Sequence, residues 1–289
     1  MTDKGRPDAM EIRHPTHPDL IRGLGTEELR AHYLVAGLFP AGGVRAVYSH
    51  HDRTVVAGVA PQVGQPLALP SYDPLRSAYF LQRREAGLVN VGGDGTVTVD
   101  GEEYPLGHRD CLYVGRGARE VIFSSASLAS SAGGARFYLV SAPAHETRPT
   151  RLARLADTDG ARLGGQEGAN DRTIYKYIHA DGIRSCQLVL GVTVLSPGSM
   201  WNTMPCHTHD RRTEIYLYFD LPADHRVVHL MGRPAETRNL IVANEQAVIS
   251  PSWSVHCGFG TASYAFVWAM AGENQAFDDM DQVAIRDMK

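Results

Sequence analysis

From Val44 onward the chain alternates apolar and polar residues in short runs. VRAVYSH, DRTVVAGVA, SAYFLQRRE, AGLVNVGG, GTVTVDGEEY, DCLYVGRG, AREVIFSS and RFYLVSA are rich in Val, Tyr, Phe and Thr, with Gly, Pro or Asp-Gly between them. Residues two apart on a strand face the same way, so this period predicts half-buried β-strands. Asp100-Gly101 sits between two alternating runs and predicts a type I′ hairpin. After residue 143 the alternation fades into PAHETRPTRLARLADTDGARLGGQEGANDRT. A second series follows: TIYKYIH, SCQLVLGVTVLSPG, EIYLYFD, HRVVHLMG, TRNLIVAN, EQAVISPSW and ASYAFVWAMAG. Two β series of similar size predict an all-β protein of two tandem barrels with minor helices. The expected boundaries are residues 1–150 for the first barrel, 151–175 for a surface connector and 176–289 for the second barrel.

Other segments break the β rhythm. TEELRAHYLVAG predicts a short helix from Thr26, with early acids and Gly37 as a stop. Residues 1–18 carry an HPTHP segment that cannot be helical and read as a poorly ordered leader. SSASLASSAGGA (124–135) reads as a low-complexity loop, and the tail ENQAFDDMDQVAIRDMK as a segment folded back over a surface. An internal echo links VTVDGEEYPLGHRDCLYVGRGARE to AETRNLIVANEQAVISPSWSVHCG, with Glu120 in the first copy standing where His256 stands in the second.

Length and composition narrow the class. The chain has 289 residues, of which 43% are hydrophobic and 21% charged, enough for full cores. A net charge of −4 and the lack of a basic run exclude a nucleic-acid surface, and no stretch is apolar enough for a membrane span. The polar N-terminus has no signal-peptide apolar region, and the four cysteines show no CxxC spacing. Reduced thiols and a cytoplasmic location are expected.

The candidate chemistry lies in PGSMWNTMPCHTHDRRTE and PSWSVH. His207 and His209 are two apart beside a strand, Glu214 follows five later, and His256 closes a Pro-x4-His motif from Pro251. Three imidazoles and one carboxylate converging inside a β-structure are a ligand set for a divalent transition metal. Alternation turns Cys206 and Cys257 away from that point and makes them packing residues.

His-x-His-x4-Glu on one hairpin and Pro-x4-His on a later one resemble the cupin superfamily, which implies jelly-roll barrels. WNTMPCHTHDRRTEIYLYF, MGRPAETRNLIVANEQAVISPSWSVHCGFGT, GENQAFDDMD, VYSHHDR, YFLQRREAGLVNVGG and VTVDGEEYPLGHRDCLYVGRGA resemble the 4-deoxy-L-threo-5-hexosulose-uronate ketol-isomerase family from about Gly23 to Lys289. The resemblance implies a zinc ion on His207, His209, Glu214 and His256, a uronate substrate and a homohexamer. The first barrel has no His-x-His; Arg83, Arg84 and Glu85 stand there, and two guanidiniums would repel an ion, so one zinc per chain is expected. Related alternatives are a 5-deoxyglucuronate isomerase, a metal-dependent dioxygenase and a sugar-binding cupin.

A ketol isomerisation needs a proton-transfer group and an anchor for the carboxylate. Tyr216 and Tyr218 share parity with Glu214; Tyr216, Lys176 and Glu245 are the candidate proton carriers. Arg172 and Arg238 are the candidate carboxylate anchors, with Arg211 and Arg212 beside the metal hairpin as further options.

Overall fold

A computed structural model describes residues 10–126 and 133–289. Part of the expected leader and the centre of the SSASLASSAGGA loop lie outside the described residues. The chain forms two compact units. One comprises the described residues up to Arg13, Leu38–Asp157 and Ile183–Cys186; the other comprises His14–Gly37, Thr158–Gly182 and Gln187–Lys289.

Among the described residues, each unit holds a seven-stranded and a four-stranded sheet. In the first unit the larger sheet runs Glu11–Arg13, Gly43–Ser49, Val55–Ala60, Phe137–Pro143, Arg84–Asn90, Cys111–Val114, Arg151–Ala153. In the second it runs Gly160–Leu163, Arg172–Ile178, Val189–Leu195, Ala265–Gly272, Arg212–Phe219, Gln246–Ser250, Leu34–Val35. The smaller sheets carry the outer strands, among them Gly95–Val99 with Glu102–Leu106 and Val227–Arg233 with Glu236–Val242. Alternation supplies the cores: Val97, Leu88, Phe123 and Phe137 fill the first unit, and Tyr218, Val227, Leu240 and Phe266 the second. The Asp100-Gly101 turn has positive φ at both residues, 48° and 88°, and pairs Val99 with Glu102, as a type I′ hairpin requires.

Three expectations change. The segment 151–175 is not a free connector, because Arg151–Ala153 pairs with Cys111–Val114 in the first unit and Gly160–Leu163 with Arg172–Ile178 in the second. Leader residues Glu11–Arg13 form a strand parallel to Val47–Ser49. The helix covers only Thr26–Tyr33 and is capped at Gly25, whose N–H meets the Glu28 carboxylate at 2.8 Å. Leu34 and Val35 then pair with Val248 and Ala247, so a tertiary strand partner ends the helix before Gly37.

Candidate metal centre

The strand Arg212–Phe219 is buried at every position, and it points Glu214 and Tyr216 into the second unit. His207 sits on the two-residue strand His207–Thr208, which pairs antiparallel with Asp281–Gln282 of the tail. His256 immediately precedes the strand Cys257–Gly260. These elements bring donor atoms of His207, His209, Glu214 and His256 within 4.8 Å of one another, with all four side chains buried. Glu214 Oε2 lies 2.7 Å from His256 Nε2 and 2.9 Å from His209 Nε2, and His207 Nε2 lies 3.0 Å from His256 Nε2.

The outer ring nitrogens decide what this cluster wants. His209 Nδ1 faces the Arg212 carbonyl at 3.0 Å, and His256 Nδ1 faces the Ser254 carbonyl at 3.3 Å. A carbonyl only accepts, so each Nδ1 carries a proton, and once the ring gives up its Nε2 proton to a metal the Nε2 lone pair points inward. Lone pairs and a carboxylate then converge out of water, an arrangement that a cation at their focus satisfies. Burial pushes the Glu214 carboxyl up, but His256 and His209 beside it outweigh burial and hold it well below the usual range. Burial and the neighbouring His256 push His207 down to about 3, so this ring is neutral. Burial lowers His209 as well, yet its bond to Glu214 outweighs that and raises it. The donor set therefore fits one divalent transition metal.

A cavity of about 260 Å³ adjoins the cluster. Arg172, Thr193, Thr203, His207, Glu214, Tyr216 and Gln282 give it polar points, and Phe266, Trp268, Met270, Phe277 and Met280 its apolar wall. Of the residues expected from sequence, Tyr216 lines the cavity with its hydroxyl 3.1 Å from Thr203 Oγ1. Burial, with the Glu214 charge, pushes its pKa well above the ordinary tyrosine value, so it is a phenol and not a base. Arg172 lines the cavity too, and its Nη1 donates to Asn170 O at 2.9 Å. Lys176 is one step removed: its Nζ sits 4.7 Å from the ring centre of Phe277, which forms part of the wall.

Other expected residues are not brought there. Glu245 occupies a turn at φ +60°, and its N–H donates to Tyr218 O, at the opposite end of the strand from Glu214. Arg238 donates to Glu236 at 3.1 Å and to Arg22 O at 3.0 Å, outside the cavity lining. Arg211 pairs with Asp279 and Asp281, and buried Arg212 donates to the carbonyls of Ala276 and Asp279. Both arginines thus tie the tail to the hairpin. Cys206 and Cys257 pack with Val255 in a separate apolar cluster. Sequence reasoning missed Thr193, Thr203, Trp268, Met280 and Gln282; the tail residues among them reach the cavity only through long-range pairing.

Among the described residues, the positions of the first unit that match the centre carry other side chains. Val189, Met270 and Glu214 stand in one register row, and the matching row of the first unit is Val55, Ser141 and Ala86. Arg84 then corresponds to Arg212, and it too is buried, donating to Ser141 and to the Arg53 carbonyl. Glu120, the counterpart of His256 before the following strand, is exposed.

Two units, each of a seven-stranded and a four-stranded sheet, with three imidazoles and a carboxylate inside the second, define an all-β protein with a cupin-like fold. The chain belongs to the KduI/IolB family, whose model matches residues 42–287. It is 59% identical over 280 residues, 97% of this chain and 100% of the relative, to a 4-deoxy-L-threo-5-hexosulose-uronate ketol-isomerase of Kineococcus radiotolerans. A protein of the same name from Halalkalibacterium halodurans is 52% identical over 97% of this chain and 100% of its own length. Among solved structures, an IolB-like protein from Salmonella typhimurium matches with a TM-score of 0.63 at 17% identity, over 80% of this chain and 86% of that one. An oxalate decarboxylase from Lactobacillus farciminis matches with a TM-score of 0.56 at 10% identity, over 91% and 88%. These two likenesses concern the fold alone.

Proposed function

We propose that this chain is a zinc-dependent ketol-isomerase of pectin-derived uronate breakdown. It converts 5-dehydro-4-deoxy-D-glucuronate (4-deoxy-L-threo-5-hexosulose uronate) to 3-deoxy-D-glycero-2,5-hexodiulosonate. The observation that carries this reading is the buried cluster of three histidines and one glutamate opening on a cavity with an arginine in its wall. Full-length similarity to ketol-isomerases of that name supports the substrate.

Aldose–ketose isomerisation moves a proton between adjacent carbons through an enediolate, so charge develops on oxygen. One zinc ion on His207, His209, Glu214 and His256 would supply Lewis acidity at the carbonyl and its neighbouring hydroxyl without a redox change. Arg172, whose fork matches a carboxylate, anchors the uronate end. Tyr216, kept as a phenol beside Thr203, would donate a hydrogen bond from its hydroxyl to the developing oxyanion and keep its proton. Phe266, Trp268, Met270 and Phe277 exclude water and strengthen these polar contacts. Lys176 holds Phe277 in that wall through its ammonium, a positioning role. Glu245 and Arg238 have no part at the centre.

The working form is a cytoplasmic homohexamer. Four free cysteines suit a reducing compartment, and the exposed strand Gly160–Leu163 leaves a sheet edge for assembly. The test is to incubate the purified protein with the uronate released by oligogalacturonate cleavage and follow conversion by NMR, with metal content measured in parallel. Absence of turnover by zinc-loaded protein overturns the reading, and oxygen consumption with bound iron would point to a dioxygenase instead.

A further inference from the structure

A second group of metal-type donors lies in the first unit, outside its barrel interior. His145, Glu146 and Cys186 bring an imidazole nitrogen, a carboxylate oxygen and a thiol sulfur within 4.8 Å of one another. None of the three has a part in the proposed isomerisation. His145 and Glu146 follow the strand Phe137–Pro143, while Cys186 arrives on Ile183–Cys186, a short segment of the same unit.

Both approaches are held in place. Arg116 Nη1 donates to the carbonyls of Ala144 and His145, at 3.1 and 2.9 Å, and its Nε donates to Gln82 O at 3.2 Å. On the other side Glu85 is fully buried, and its Oε2 accepts the Cys186 N–H and the Tyr113 hydroxyl, each at 2.7 Å. A buried carboxylate is costly unless hydrogen-bonded, and Glu85 uses part of that capacity to fix the Cys186 peptide. The thiol in turn donates to the Glu146 carbonyl at 3.3 Å, which keeps the sulfur against the loop. Arg148 pairs with the Glu146 carboxylate, as outer partners of ligating carboxylates do.

We infer that His145, Glu146 and Cys186 form a second divalent-metal site, suited to a borderline-soft ion such as zinc, cobalt(II) or cadmium. Sulfur and imidazole donors disfavour magnesium and calcium, which prefer oxygen ligands. Binding replaces the thiol proton by the metal and releases that proton to solvent. The solvent-exposed side of the site leaves open positions for water, so the ion is exchangeable.

Cobalt(II) is the probe, added to the full-length protein kept reduced by a phosphine. Thiolate bonded to cobalt gives an intense near-ultraviolet charge-transfer band that a centre of imidazoles and carboxylate does not give. The band should form in the wild type and in His207→Ala and vanish in Cys186→Ser. In His145→Ala it should need at least about tenfold more cobalt to form. A wild type without the band, or a band that survives Cys186→Ser, overturns the site. Neither result bears on the isomerase reading, which the NMR assay tests separately.

Discussion

Nε2 of His256 lies 2.7 Å from Oε2 of Glu214, joining a loop before one sheet to a strand of the other. The same oxygen meets His209 Nε2, so Glu214 ties the imidazoles together. Glu214→Gln keeps the shape, removes the charge and places an amide among inward lone pairs. Metal affinity should fall by more than about 100-fold, since even loss of a supporting residue costs about 10- to 100-fold. Elemental analysis after dialysis checks this, and full retention of metal would contradict the ligand assignment.

Arg172 and Arg238 separate the anchor question. Arg172 borders the cavity, whereas Arg238 is engaged by Glu236 and the Arg22 carbonyl. A charge-assisted hydrogen bond contributes about 1.5–3 kcal/mol, so Arg172→Ala should raise KM roughly ten- to a hundredfold with a smaller loss in kcat. Arg238→Ala should leave KM unchanged. The reverse pattern in steady-state kinetics would exchange their roles.

The contrast between these arginines shows what the sequence carries and what it does not. Glu214, Tyr216 and Tyr218 share a face because a strand has period two, so alternation alone places them. His256 was legible from the Pro-x4-His motif that it closes with Pro251. Arg238 and Glu245 looked equally suitable because local pattern says nothing of where a strand end lies. The register pairing Tyr218 with Gln246 puts the Glu245 turn at the wrong end of the barrel. Met280 and Gln282 were invisible because pairing of Asp281–Gln282 with His207–Thr208 is long-range. The repeated sheet order was visible only as a faint echo, since identical topology needs only alternation, not identical residues.

Tyr216→Phe removes one hydroxyl and leaves the ring packed against Phe266, 4.8 Å between centres. The lost bond to Thr203 should cost about 1 kcal/mol of stability. Loss of this oxyanion hydrogen bond should lower kcat about 100-fold, the usual cost of removing one such donor, with little change in KM. A variant with wild-type kcat would remove Tyr216 from the chemistry.

His229 makes a pH prediction. Burial pushes it down to about 3, and its Nδ1 lies 2.8 Å from the Tyr218 hydroxyl. Burial also holds Tyr218 as a phenol, so it donates to a neutral ring. The unfolded chain, with an ordinary histidine, binds a proton below about pH 6.5 that the folded chain does not. This group's contribution is therefore complete above pH 6.5 and is lost as pH falls toward 3, by about 1.4 kcal/mol per unit. Urea melts from pH 7 to 5 should show the gap between wild type and His229→Gln closing as pH falls; a constant gap would show that His229 does not titrate on unfolding.

Gly191 faces Trp268 across the sheet, and a Cβ there would meet Trp268 Cζ2 at 2.2 Å and the Tyr175 carbonyl at 2.3 Å. The indole cannot simply swing aside, because its Nε1 donates to Thr193 Oγ1 at 3.1 Å and its ring packs 5.2 Å from Phe277. Gly191→Ala should therefore destabilise the second unit by about 1–3 kcal/mol or more, the usual cost of overpacking. Because Trp268, Thr193 and Phe277 all border the cavity, the strain should also reach the substrate. The expected signature is a lower Tm together with a raised KM, with metal content unchanged because none of the four ligands moves. An alanine variant with wild-type Tm and KM would mean that the strand Val189–Leu195 shifts freely, and that the cavity wall is softer than its packing implies.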